Sequence, residues 1–222
     1  MTSSYVSRGS PVSARSYRLA VPPAVIRLPG AVHLQDILQL VREGADERDG
    51  PGISHSGVSA TTSLEELAGL GRVLDTYVTA GPVPGCGVSL SIVVTSVTVE
   101  DAGQRAGPRE SFAGARGRQS LLIGGEPAIC VSSVSSGAER PVTGGMRVLR
   151  AKTVISCVPG DDDVLISFAV MVAQLEGGAS PDTSEDETEA VADALVELFD
   201  AMMTTVRWLD DQGRVITDRP TT

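Results

Sequence analysis

The middle of the chain alternates apolar and polar residues with the two-residue period of β-strands. Residues 86–99 are dense in β-branched types, and similar segments recur at 119–123, 127–134, 146–157 and 163–173. Gly124 and Gly125 can adopt positive φ and predict a tight turn between two of these segments. Pro159 and Gly160 predict the turn of a long hairpin. The pattern therefore predicts an antiparallel sheet.

Three other segments carry the period of amphipathic helices. The first spans about 32–43, and the second begins at a capping box headed by Ser63 and ends before Gly81. The third, about 185–207, follows a good N-cap residue, Ser184, and has acidic residues in its first turn, where the helix dipole favours anions. Its predicted apolar stripe consists of Val191, Leu195, Leu198, Met202 and Val206.

The order of helices, strands and a final helix predicts an α+β fold with the antiparallel sheet sandwiched between helices. We expect the last helix on one sheet face and the first two on the other. Residues 17–29 read as extended structure interrupted by Pro22 and Pro23, which suits an edge strand. The predicted organisation is a disordered N-terminal tail, a single α+β domain and a C-terminal tail, at 1–16, 17–210 and 211–222.

Composition narrows the classes of partner. A net charge of −10 repels polyanions, and an aromatic content of 3% leaves few rings for stacking on bases, so we expect no nucleic-acid binding. No apolar run has the length of a membrane span, and residues 1–16 lack the apolar run of a signal peptide, which predicts a cytoplasmic protein without membrane contact. Cys86, Cys130 and Cys157 lie far apart and are expected to be buried thiols. One lysine against seventeen arginines, with no asparagine, suggests a GC-rich bacterial genome.

Candidate catalytic and metal-binding residues are scarce. The histidines are His33 and His55, and neither stands in a known nucleophile arrangement. The run Asp161 to Asp163 directs its carboxylates in different directions on a strand or turn, and the pattern lacks the clustered ligands of zinc sites. Phosphate-binding glycine motifs are missing as well. We predict no catalytic residue, cofactor or metal and favour a non-enzymatic domain, although a carboxylate-only site stays open.

Charge segregation supplies candidate partner-binding residues. Twelve carboxylates lie between residues 161 and 200, and no basic residue stands between Lys152 and Arg207. A polar loop at about 100–118 holds the main concentration of arginines. Both regions are explained simply as solvated surface, but they could also dock another protein. The candidates are Asp182, Glu185, Asp186, Glu187, Glu189, Arg105, Arg109, Arg116 and Arg118.

Three function hypotheses remain open from the residues alone. The first is a protein-binding or adaptor domain. The second is a small-ligand-binding protein or an enzyme, with an apolar pocket that no sequence motif reveals. The third is a homo-oligomer that uses an exposed strand edge.

Three segments together resemble a group of uncharacterised bacterial proteins with a PsbP-like fold. They are YRLAVPPAVIRLP at 17–29, VLISFAV at 164–170 and ALVELFDAMMTTVRW at 194–208. The resemblance implies an antiparallel sheet sandwiched between helices. It also implies a role in binding or assembly more than in catalysis, and it offers no catalytic residues to transfer.

Overall fold

The computed structural model describes residues 13–29, 72–98, 119–134, 142–143, 146–175 and 177–216. Within these ranges the chain forms ten strands and one helix. The elements are β1 (Ser16–Arg18), β2 (Val25–Pro29), β3 (Arg72–Thr79), β4 (Val88–Thr98), β5 (Gln119–Ile123), β6 (Glu126–Val134), β7 (Val142–Thr143), β8 (Met146–Val158), β9 (Asp161–Leu175), α1 (Glu185–Thr204) and β10 (Arg207–Leu209).

The main sheet is antiparallel throughout. Seven of its strands follow the order β2-β3-β4-β9-β8-β6-β5, and β7 pairs with β8, while β1 and β10 form a separate two-stranded sheet. The hairpin β8–β9 turns at Pro159 and Gly160, and the hairpin β5–β6 turns at Gly124 and Gly125, as predicted. The φ angles of Gly124 and Gly125 are 56° and 86°, the left-handed conformation of a type I′ turn. The antiparallel sheet is thus confirmed.

The predicted sandwich between helices is wrong. The described part of the chain is mostly antiparallel β with the single helix α1, so it is not an α+β sandwich. Part of the second predicted helix, at 72–79, is instead strand β3, paired with β2 and β4. Leu74 matched a helical period, but its neighbours are mostly β-branched or aromatic, and these side chains fit a pleated sheet. The predicted helix at 32–43 and the capping box at Ser63 lie outside the described residues.

Helix α1 begins where the sequence predicts. The Ser184 side chain accepts a hydrogen bond from the Glu187 N–H at 3.2 Å, and the Glu187 carboxylate accepts one from the Ser184 N–H at 2.8 Å. This capping box satisfies two main-chain donors that a helix end leaves unpaired. The helix packs on β4, β8 and β9, through a buried set slightly rotated from the predicted stripe: Thr188, Ala192, Phe199, Met202 and Met203.

One face of the sheet, the helix face, carries the hydrophobic core. Its strand residues are largely aliphatic and include Val88, Leu90, Ile92 and Val94 of β4 and Phe168, Val170 and Val172 of β9, all almost fully buried. The opposite face alternates with these positions and mixes polar or small side chains such as Ser91 and Ala169 with buried apolar ones such as Val93 and Ile129. In the described ranges no helix packs on that face. The helix face therefore supplies most of the described apolar burial.

Candidate functional site

The acidic residues of α1 largely face basic residues of β8. The Arg150 guanidinium lies 2.6 Å from Glu189 and 2.7 Å from Asp193, and Arg147 lies 3.2 Å from Glu185. The Lys152 ammonium lies 2.6 Å from one Asp200 oxygen. These ion pairs link the helix to the sheet and engage four of the twelve carboxylates between residues 161 and 200.

The remaining predicted partner-binding residues are placed differently. Asp182 and Asp186 are exposed near the start of α1, and Glu187 is engaged in the capping box. The four arginines of the polar loop, Arg105, Arg109, Arg116 and Arg118, lie outside the described residues. A joint docking role of the acidic and basic sets stays a prediction.

Sequence reasoning missed a polar cluster that is centred on the buried Asp75. We call it the tyrosine–aspartate cluster, and it consists of Tyr17, Arg27, Asp75 and Tyr77. Asp75 is only 3% exposed. It accepts hydrogen bonds from the Tyr17 hydroxyl and from Arg27, whose Nε and Nη2 lie 2.8 and 3.1 Å from the carboxylate oxygens. The hydroxyls of Tyr17 and Tyr77 are 3.3 Å apart. Each buried polar atom of the Asp75 carboxylate therefore has a partner.

The cluster holds the N-terminal segment (13–21) on the helix face. The Tyr17 ring meets Phe168 edge-on, with centroids 5.6 Å apart. Main-chain N–H groups of Ala14 and Arg15 donate to the carbonyls of Pro159 and Leu209, each at 2.9 Å. The cluster thus joins β1 and β2 to β3, which lies more distant in sequence.

Electrostatics favour a structural role for these tyrosines. Burial, reinforced by the hydrogen bond to Asp75, raises the pKa of Tyr17 far above its ordinary value, and burial also raises the pKa of Tyr77. General acid–base catalysis near neutral pH needs a pKa near neutrality, so both shifts point away from it. The hydrogen bond to Asp75 likewise raises the pKa of Arg27. The cluster keeps its tyrosines protonated and its arginine charged, as a fixed hydrogen-bond network requires.

A cleft of about 380 Å³ lies between the start of α1, the start of β8 and the end of β9. Arg147, Gln174, Thr183 and Glu185 contribute to its lining. Several of its polar groups are already engaged: the Thr183 hydroxyl donates to the Gly85 carbonyl at 2.7 Å and the Gln174 amide to the Cys86 carbonyl at 2.9 Å. The cleft is large enough for a small ligand but offers few polar groups without a partner.

Strand β5 is one end of the main sheet, and its outer side has no described strand beside it. In a two-residue hairpin the residues flanking the turn form a hydrogen-bonded pair, so Ile123 and Leu121 bond inward to β6. The N–H and C=O groups of Ser120 and Leu122 therefore point outward. Leu122 is 69% exposed, the most exposed of the large hydrophobic side chains described. We call this side of β5 the open edge.

Strand β2 is the other end of the sheet, which confirms the edge strand predicted from the prolines in 17–29. The Ala80 N–H donates to the Ala24 carbonyl at 2.8 Å, so Ala24 and Ala80 form a hydrogen-bonded pair. Hydrogen-bonded and non-hydrogen-bonded pairs alternate along the strand, so the main-chain groups of Arg27 and Pro29 point away from β3. Pro29 has no N–H, and Arg27 is charged. Both features discourage the pairing of another strand.

Trp208 contacts the hairpin turn at the end of the open edge. The Trp208 indole N–H donates to the Ile123 carbonyl at 3.0 Å. A Cβ at Gly124 would come within 2.8 Å of the Trp208 ring, so glycine is required there for close approach as well as for its positive φ. The hairpin end is therefore held in place against β10.

The described residues give no sign of a metal site or of a membrane-spanning helix. Within those ranges no group of three His, Cys, Asp or Glu side chains is arranged to hold a metal ion, and both histidines lie outside them. Cys86, Cys130 and Cys157 are buried, as predicted. In the same part of the chain no helix is both long and apolar enough to cross a membrane. No protein-family model, curated protein or solved structure matches the chain.

Proposed function

We propose that the chain is a non-enzymatic protein-binding domain that captures an extended segment of its partner along the open edge of β5. The observation that carries this proposal is an uncharged edge strand with outward main-chain groups at Ser120 and Leu122 and a largely exposed Leu122 side chain. A partner strand would complete the hydrogen bonds that the described part of the sheet leaves unmade. Strand addition of this kind gains affinity from main-chain bonds and selectivity from alternate side chains.

The pleat of β5 also predicts the pattern of side chains in a bound segment. Its residues alternate between the two sheet faces, because it continues the pleat of β5. On the opposite face an apolar side chain beside Leu122 would shield it from water. On the helix face the neighbour is the half-buried Leu121. The proposal therefore specifies an extended segment with apolar residues near both leucines and no charge opposite them.

A linear peptide library selected against the folded chain tests the proposal. The Leu122→Pro variant removes the outward N–H and leaves the inward bonds of β5 intact, so we expect it to weaken the selected peptides at least tenfold. Leu122→Ala is the matched control, because it trims the same side chain but keeps the N–H, and it should weaken binding less. N-methylation along the peptide should reduce affinity at alternate residues only. Binding that is insensitive to Leu122→Pro and to N-methylation would contradict the proposal.

The cleft of about 380 Å³ beside α1 supports a second candidate function, the binding of a small ligand. A thermal-shift screen of metabolites tests it, because a ligand that binds the folded state alone raises the unfolding temperature by mass action. Ala179 also lines the cleft, so filling it with Ala179→Trp should abolish a stabilisation that arises there, whereas Leu122→Pro should leave it unchanged. A screen without any saturable shift removes this candidate.

A further inference from the structure

We infer that the segment bound at the open edge is β5 of a second copy of this chain, paired antiparallel about a twofold axis at Leu121. This inference rests on the proposed function, since it names the partner of the same edge. Closed twofold dimers are the commonest oligomers, and they require a surface that is complementary to itself. The residues of β5 meet that requirement in one particular register.

Hydrogen bonding selects the register. The outward groups belong to Ser120 and Leu122, two residues apart. When Ser120 of each copy lies opposite Leu122 of the other, both residues form hydrogen-bonded pairs and every outward group is used. A shift by two residues in one direction pairs Leu122 with Leu122 and places Ser120 opposite the turn residue Gly124. A shift in the other direction pairs Ser120 with Ser120 and places Leu122 opposite a position before the strand. The centred register is therefore the one that satisfies this edge completely.

The side chains of β5 also favour the centred register. Leu121 then lies opposite Leu121 of the second copy as a non-hydrogen-bonded pair, the arrangement in which cross-strand side chains approach most closely. Gln119–Ile123 contains no charged residue, so self-pairing places no like charges opposite each other. A chain of net charge −10 otherwise repels its own copy, which makes an uncharged strand the favourable place for contact.

The size of the contact predicts a reversible dimer. A five-residue strand buries much less than the roughly 1,600 Å² of a standard stable interface. The dimer should therefore dissociate on dilution. Long-range repulsion between two acidic copies is screened by salt, so the dimer should tighten as ionic strength rises. A basic partner held by charge would show the opposite dependence.

Sedimentation equilibrium of the full chain, over a range of protein and salt concentrations, tests the inference. We expect a monomer–dimer equilibrium that shifts towards dimer at high salt, and a tenfold or greater weakening by Leu122→Pro. Leu122→Ala should weaken the dimer less. Circular dichroism and the unfolding midpoint confirm that each variant is folded. A monomer at every concentration, or a dimer unchanged by Leu122→Pro, would overturn the inference.

Cysteine cross-linking tests the register. Leu121→Cys should form an intermolecular disulfide under mild oxidation, because directly opposed strand residues lie within disulfide range. Ser120→Cys is the matched control on the same strand: its counterpart lies diagonally across the axis, beyond the roughly 7 Å between Cα atoms that a disulfide can bridge. The three native cysteines are buried and should remain uncross-linked. Equal cross-linking of both variants would contradict the centred register.

The two proposals fail separately. Library peptides that bind in a Leu122-dependent manner to a strictly monomeric chain would support strand addition and refute self-pairing. Peptide binding that does not depend on Leu122, together with a chain that stays monomeric, would refute both proposals.

Discussion

The main sheet ends at β2 on one side and at β5 on the other, and the two edges are finished differently. At β2 the outward positions include Pro29, which has no N–H, and Arg27, whose side chain bonds the buried Asp75. At β5 the outward positions are Ser120 and Leu122, neither charged nor lacking an N–H. Native sheets usually block their edges with proline and charge. Among the described residues, one edge carries such blocking features and the other does not.

The blocked edge also anchors the N-terminal segment. Arg27 reaches Asp75 from the sheet, and Tyr17 reaches the same carboxylate from β1. One acidic side chain thus serves both the edge strand and the segment that covers the helix face beside it. The open edge has no equivalent polar group among the described residues, and its support comes from the Trp208 contact at the hairpin turn.

Removing the carboxylate at the blocked edge should have the largest effect on stability. Asp75→Ala breaks hydrogen bonds to a charged group and leaves the buried Tyr17 hydroxyl without its main acceptor, at a cost of about 3 kcal/mol. Urea unfolding measures the change, with Asp75→Asn as the closer isostere and the smaller expected loss. A cost below about 1 kcal/mol would show that the tyrosine–aspartate cluster is peripheral to folding.

Proline substitution along β5 should separate its two sides. Leu121→Pro removes an inward N–H and leaves the Ala128 carbonyl without a partner, which should cost about 1–3 kcal/mol. Leu122→Pro removes only an outward N–H, so its cost for the monomer should stay below roughly 0.5 kcal/mol. Urea unfolding at low protein concentration measures both. Similar losses for the two variants would mean that Leu122 does not point outward.

Alkaline pH should lower the stability of the folded chain through the tyrosine–aspartate cluster. Of the predicted changes in stability, this one is the smallest near neutral pH. The pKa of Tyr17 is raised in the folded state, so its contribution to stability is complete below pH about 10 and declines at higher pH, as the unfolded chain releases a proton that the folded chain retains. Tyr17→Phe should make this decline shallower in unfolding midpoints measured from about pH 8 to 11. Leu122→Ala should leave the slope unchanged. Identical slopes for wild type and Tyr17→Phe would contradict the burial of that hydroxyl.

Local signals predicted the parts of the fold that short stretches of chain determine. The turns at Gly124 and at Pro159 and the N-cap at Ser184 all lie at the predicted residues, because positive φ, a fixed φ and a capping side chain act locally. The error at 72–79 has the opposite cause. A leucine spacing favoured a helix there, but pairing with β2 and β4, which are distant in sequence, decides the conformation.

The candidate site depends on information that a single segment does not carry. Asp75 meets a tyrosine 58 residues away, and no spacing rule connects such partners. Which strand ends the sheet also depends on topology. Strand β5 ends the described sheet because it pairs with β6 alone, whereas β6 also pairs with β8. One signal was present: β2 contains an arginine and a proline, and β5 contains neither. That difference alone does not mark β5 as an edge, because the central strand β4 contains neither residue either.

Lys152 carries the only side-chain amine of the chain, and it is held within 2.7 Å of both Asp200 oxygens with its side chain 15% exposed. Amine-reactive dyes, cross-linkers and coupling resins would find no other lysine to modify. Any such reagent that reacted there would cancel a charge between β8 and α1. Immobilisation or labelling for partner studies is therefore better directed to an engineered cysteine far from both the helix and β5.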